Sequence, residues 1–285
     1  MEAPPKIEFA AADPIPEAVQ IAEESLAHAR LALAENDPEL ANPLIRTADV
    51  CRQYGLAERA IPFYVEALEL IEQYAFETQG YYRIAHEIGA LYDELGDLDS
   101  ASYYYDAAIR IADQSTGVDT IEVATILNNL ALVYKKSGNP DLAEANYHRA
   151  LEMYERIRGG DHPDVAAMLN NLGALYIAQG DFDMAEVMHT RALGLRQKAY
   201  GAYHPDVAQS LSNLAVVQHS RNNLKKAASF YKDALEVLTK CGNTDPDEYG
   251  IVVENYAALL RQSGKSKKAE EIEAALHGRL GEAAK

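Results

Sequence analysis

The chain has 285 residues, 48% of them hydrophobic and 25% charged, with a formal net charge of −18. This is the balance of a folded, soluble chain, and no apolar run approaches the ~20 residues of a membrane-spanning helix. So acidic a chain repels phosphate backbones, which argues against nucleic acid as a partner, and the N-terminal MEAPPKIEFAAADPIPEA lacks the basic stretch and apolar core of a secretory leader, so a cytoplasmic protein is expected.

The acidity is uneven. Residues 1–100 hold 20 acidic and 6 basic residues, and residues 101–285 hold 24 and 20. Solubility is the plain reading of that excess, and steering of a basic partner toward the N-terminal half is the sharper one. Cys51 and Cys241 are the only cysteines, far apart in the chain, and read as free thiols.

From the N-terminus, residues 1–14 hold prolines and mixed charge with no period and are expected to be disordered. Pro16 suits the first turn of a helix, and Ala18, Ile21, Ala22, Leu26, Ala29 and Leu33 follow at helical spacing. Residues 15–36 are therefore expected to form a capping helix.

The remainder repeats. HPDVAAMLNNLGALYIAQGDFDMAEVMHTRAL begins at His162 and a close variant begins at His204, a period of 42 residues. A fixed period of that length predicts an all-α, right-handed solenoid of about six helix-turn-helix repeats over residues 37–277. The repeats are expected near 40–77, 81–117, 121–159, 163–201, 205–242 and 247–277, with residues 278–285 as a tail.

Each repeat has one pattern. Helix A carries large and small apolar residues and is closed by glycine in a left-handed turn. Helix B carries a small residue, an aromatic four later, then Ala-Leu. In the first repeat Pro62 is expected to kink helix B or delay its start to near Arg59. The second reads Ile88, Gly89, Tyr92, Gly96, Ala101 and Tyr105. In the third, Asn139-Pro140-Asp141 is a helix start. The fourth has Gly173, Gly180, an N-cap at Asp181, and His189 where the aromatic belongs. In the fifth, Asn222 replaces the turn glycine. The sixth has Glu273 in place of the aromatic and a polar last helix, which suits a C-terminal cap and a monomer.

The pattern resembles the tetratricopeptide repeat, and HPDVAxxLNNLGxLYxxQG with AExxxxRALxLRxKxYGxxHPDVA is similar to its kinesin light chain type, over roughly residues 40–276. The long heptad segment by which eukaryotic light chains bind the motor is absent from this sequence. The resemblance is therefore to the bacterial kinesin light chain encoded beside bacterial tubulins, which implies a bacterial tubulin polymer as partner.

In such a solenoid the A helices line the concave face, where partners bind. The residue before each Leu-small pair is expected in the groove: Arg46, Glu87, Asn129, Asn171, Asn213 and Asn255. Four carboxamides in register suit the backbone of an extended peptide. The competing reading is that each asparagine bonds the neighbouring helix. Asn170 stands beside them, among small residues that leave room for a ligand side chain. Arg83, Thr125, Ala167 and Gln209 lie one turn earlier. Lys135, Lys136, His219 and Arg261, with Arg221, lie after and would favour an acidic segment, although solvated charge is the commoner explanation.

The periodic tyrosines read as core. Tyr103-Tyr104-Tyr105 differs, because side chains ~100° apart cannot all face inward. Tyr103 or Tyr104 is therefore a candidate outer-face contact for a large partner. His162 and His204, one repeat apart, cannot share a metal ion and read as turn residues. No HExxH, CxxC, phosphate loop or nucleophile elbow occurs. The residues read as a non-catalytic interaction protein without a cofactor. It is expected either to decorate a filament or to hold an extended peptide in its groove.

Overall fold

The computed structural model describes residues 15–34, 36–74, 81–115, 120–242 and 246–283. The expected disorder of residues 1–14 lies outside them. The described residues divide into two compact units, with the boundary between Ala150 and Leu151.

The first unit begins with α1 (Glu17–Ala32) and a 3₁₀ turn, Pro38–Leu40. It continues with α2 (Ala41–Gln53), α3 (Ala57–Gln73), α4 (Tyr82–Glu94), α5 (Leu98–Ser115) and α6 (Ile121–Lys136). Each A helix packs on its own B helix, α2 on α3 and α4 on α5, and each B helix packs on the next A helix. The helix α7 (Pro140–Arg158) spans the unit boundary. The second unit contains α8 (Pro163–Gln179), α9 (Phe182–Tyr200), α10 (Pro205–Ser220), α11 (Leu224–Lys240), α12 (Pro246–Gln262) and α13 (Ser266–Ala283). The same pairing recurs there, with α10 touching both α8 and α12. Among the described residues the architecture is all-α.

The turns follow from the sequence. Gly180 closes α8 at φ 81, and the amide of Asp181 returns to the Tyr176 carbonyl at 2.9 Å, the helix-ending bond of a left-handed cap. Asn222 takes φ 60 at the same place in the next repeat, and the Asn223 amide returns to Gln218 at 2.8 Å. The helix starts are set by side chains: Asp181 accepts from the Met184 amide at 3.0 Å. His162 and His204 cap α8 and α10 by accepting, through Nδ1, from the amides of Asp164 and Asp206 at 3.2 Å.

The small residue of helix A exists because the aromatic of helix B lies on it. A Cβ at Gly89 would stand 2.8 Å from the Tyr105 ring, and one at Gly173 only 2.5 Å from Nε2 of His189. Outside, ion pairs 36 residues apart connect successive B helices, Asp113 to Arg149 in the first unit and Glu155 to Arg191 in the second. The helix α1 joins the same scheme, with Glu23 paired to Arg59 and Arg30 to Glu66. It packs on α2 as a helix-B equivalent. Each exposed pair contributes about 0–1 kcal/mol, so these set register more than stability.

Several expectations need correction. The helix α3 starts at Ala57, two residues after Gly55, as in every other repeat, and runs through Pro62. Proline there removes one helical donor, and the carbonyl it deprives belongs to Glu58, a solvent-exposed residue. The helix α13 continues to Ala283, past the expected end of the solenoid. Pro16 stands just outside α1 rather than in its first turn. Tyr104 is not an outer-face residue: it is 5% exposed and stacks on Tyr92 with ring centroids 5.6 Å apart. A helix B is buried by its own A helix and by its neighbours, so two successive tyrosines, Tyr104 and Tyr105, find cover. Only Tyr103 remains half-buried, its ring edge-on to Tyr104 at 5.1 Å.

Candidate interaction surface on the A helices

In the first unit the expected groove residues are mostly engaged with neighbouring side chains. Asn129 on α6 places Nδ2 3.3 Å from Nε2 of His86 on α4, and its amide also meets the Tyr105 hydroxyl. Burial holds the His86 imidazole below its usual pKa, so it is neutral and able to accept. Lys136 pairs with Asp93 at 2.6 Å, Arg83 with Glu122 at 2.9 Å, and Glu87 with Arg52 at 3.4 Å. Thr125 bonds back to the Ile121 carbonyl. Lys135 is half-buried and Arg46 exposed.

In the second unit Asn171, Asn213 and Asn255 stand half-buried on the successive A helices α8, α10 and α12. The carboxamide of Asn213 lies 3.4 Å from that of Asn170. As with Asn129 and His86, the contact runs diagonally to the residue one before the equivalent position. The neighbour-bonding reading therefore describes Asn129. His219 bonds Gln262, and Arg221 is bound by Asp183 and Glu186. Arg261 forks Glu273 at 2.8 and 2.6 Å, which explains an acid at the aromatic position of the last repeat. Three of the cations expected to favour an acidic ligand, Lys136, Arg221 and Arg261, are thus already neutralised.

Asn170 does not line open space. It is 8% exposed and its carboxamide lies 2.9 Å from Nδ1 of His189. With the amide nitrogen toward that ring, its oxygen accepts from both terminal nitrogens of Arg196 at 2.9 and 3.2 Å. Arg196, 7% exposed, also donates to the Asp206 carbonyl at 2.8 Å, to Gln209 Oε1 at 2.8 Å and to Ser210 Oγ at 3.0 Å. Its nearest carboxylate oxygen, on Asp206, is 4.0 Å away. Burial lowers the guanidinium pKa, partly offset by Asp206. Burial, then the Arg196 charge, brings the His189 pKa down to about 4. This network fixes α9 against α8 and α10.

Arg196 is a functional position that the repeat pattern alone does not single out, although it leaves a signal in the register. Its register position is filled by Ile71, Ala112, Tyr154 and Leu238 in other repeats, all buried. A charge in an apolar register marks a buried polar site.

Beside this network lies a cavity of about 150 Å³ between α10 and α12. Pro205, Ala208, Gln209, Ser212 and Asn213 of α10 line one side. Glu248, Ile251 and Val252 of α12 line the other, with Leu238 of α11. Among the described residues, no group of three or more His, Cys, Asp or Glu is arranged to hold a metal ion, and no helix is long and apolar enough to cross a membrane.

Tetratricopeptide-repeat family models match residues 82–115, 122–198 and 164–240. The crystal structure of BtubC (BKLC) from P. vanneervenii is 31% identical, covers 79% of this chain and 91% of its own, and superposes with a TM-score of 0.63. A putative kinesin light chain with nearly identical TPR-like repeats from Podosopora anserina is 16% identical, covers 71% of this chain and 95% of its own, and has a TM-score of 0.61. YrrB, a TPR protein with an unusual peptide-binding site, is 19% identical over 77% and 93%, with a TM-score of 0.52. These last two show the fold alone. No curated protein matches the sequence.

Proposed function

We propose that this chain, which belongs to the tetratricopeptide-repeat family, is a non-catalytic cytoplasmic scaffold that binds and decorates or stabilises bacterial tubulin-like filaments. Tetratricopeptide repeats are protein-interaction scaffolds, and the A-helix face has the form of one. The observation that carries the finer reading is the 31% identity with BtubC over most of both chains. The 42-residue period and the HPD turns point the same way.

The test is cosedimentation with polymerised bacterial tubulin from the same organism, beside monomeric tubulin, at low and moderate salt. Saturable pelleting with polymer alone supports the reading. Absence of pelleting by folded protein removes it. Tyr103→Ala then separates the helix-B side from the A-helix side, since Tyr103 keeps solvent access whereas Tyr104 is buried.

The second reading is an adaptor that holds an extended peptide along the A helices. The cavity lined by Asn213 favours it. It requires that a short fragment of the partner bind alone, and that combined Asn171 and Asn213→Ala substitution in the second unit abolish that binding. The acidic character expected of such a peptide loses the support of the ion-paired cations.

A further inference from the structure

The cavity between α10 and α12 is the Arg196 site one repeat on. Forty-two residues after Arg196 stands Leu238, and after Asp206, Gln209 and Ser210 stand Glu248, Ile251 and Val252. Asn170 becomes Ser212. In the first site the arginine fills the space between two A helices and gives its protons to its neighbours. In the second, a shorter apolar side chain leaves about 150 Å³ open, and two of the acceptors have become Ile251 and Val252. Ile251 is 58% exposed at that site.

We propose that this cavity is a specificity pocket for one neutral apolar side chain, of leucine to phenylalanine size, on an extended segment of the partner; the proposal rests on the A-helix face being the partner face. Size follows from the volume, which is room for a benzene-sized group. Charge follows from the lining. Glu248 repels a carboxylate, and the largely apolar lining offers an ionised side chain no replacement for its hydration. Pro205, Ala208, Leu238, Ile251 and Val252 supply apolar contact. The carboxamides of Gln209 and Asn213 at the same cavity address the backbone amides flanking the docked residue.

The experiment uses the full chain with labelled Ile, Leu and Val methyl groups and N-acetyl-leucine methylamide as probe. Saturable shifts of the Leu238, Ile251 and Val252 methyls are expected at about millimolar probe, the affinity available to so small a ligand. The matching aspartate and lysine methylamides leave those methyls unmoved. Ile251→Asp, at an exposed position that preserves folding, weakens the leucine probe at least about tenfold. Leu238→Arg occupies the space and abolishes binding, with the helical circular dichroism as its folding check. Absence of saturable shifts, equal binding of the charged probes, or full affinity in folded Ile251→Asp overturns the proposal. Pelleting with filaments is scored separately on the unsubstituted chain. If it pellets but ignores the probe, the pocket falls and the filament reading stands; the reverse result removes the filament reading alone.

Discussion

His189 and Asn170 share a buried contact of 2.9 Å, and the same asparagine holds the guanidinium of Arg196. The imidazole is therefore useful only as a neutral ring, since protonation would add a cation beside an arginine in a buried site. Its pKa of about 4 stands below the usual 6.5, for burial first and the Arg196 charge second. A depressed histidine pKa means that the unfolded chain takes up the proton first. Stability from this group is complete above pH 6.5, falls as the pH drops from 6.5 toward 4, and is fully lost below that. The expected loss by pH 5 is about 2 kcal/mol. Urea melts of the unsubstituted chain and His189→Gln, compared at pH 7.5 and 5, measure it. The difference between the two proteins should shrink by that amount, and a constant difference would contradict the assignment.

Gly173 serves the same site. With Nε2 of His189 2.5 Å from where its Cβ would be, Gly173→Ala forces the ring off Asn170. The expected destabilisation is about 1–3 kcal/mol, as for other overpacked cores. Gly194, inside α9 with nothing within 4 Å of where a methyl group would stand, is the control. Gly194→Ala should stabilise by about 0.5–1 kcal/mol through helix propensity alone. Opposite signs for two Gly→Ala changes, read from denaturation midpoints, would separate packing from backbone freedom.

These residues also show what a sequence discloses. A strict period exposes any position defined by local backbone geometry or by packing within one repeat. The turn glycines, Asn222, the Asp181 cap and the small residue facing Tyr105 were all legible for that reason. Contacts between repeats were less so. Asn170 reads as a small groove residue until α9 brings His189 and Arg196 against it. Lys136 and Arg261 read as available cations until Asp93 and Glu273 are placed beside them. Tyr104 reads as surplus because a helical wheel counts one buried face, whereas a stacked helix has more. Leu238 looks like any core leucine, and only comparison with Arg196 one repeat earlier reveals the space it leaves.

Asn222 tests the turn grammar directly. It adopts φ 60, where an L side chain is strained and glycine is not. Asn222→Gly should therefore stabilise by up to about 1 kcal/mol, and Gly180→Ala at φ 81 should destabilise by about 1–2 kcal/mol. Both sites lie in surface turns with no core contact to confuse the result: a Cβ at Gly180 would meet nothing within 4 Å. Thermal melts of the two variants decide the signs, and a neutral Gly180→Ala would mean that the left-handed turn relaxes at no cost.

The two thiols should differ in reactivity. Cys51 is completely buried, and burial, reinforced by the Glu23 charge and opposed by Arg59, brings its pKa up to about 11. The thiolate is the attacking species, so Cys51 is both inaccessible and protonated at neutral pH. Cys241, just past the end of α11, is half-buried with its thiol toward the Leu238 carbonyl at 3.4 Å. At pH 8, Ellman's reagent should titrate Cys241 promptly and reach Cys51 only as the chain opens, with a rate that climbs with urea. Cys241→Ser should erase the fast phase, and Cys51→Ala should erase the slow one. If Cys51→Ala instead removed the fast phase, the packing of α2 against α1 and α3 would have to open far more readily than its full burial implies.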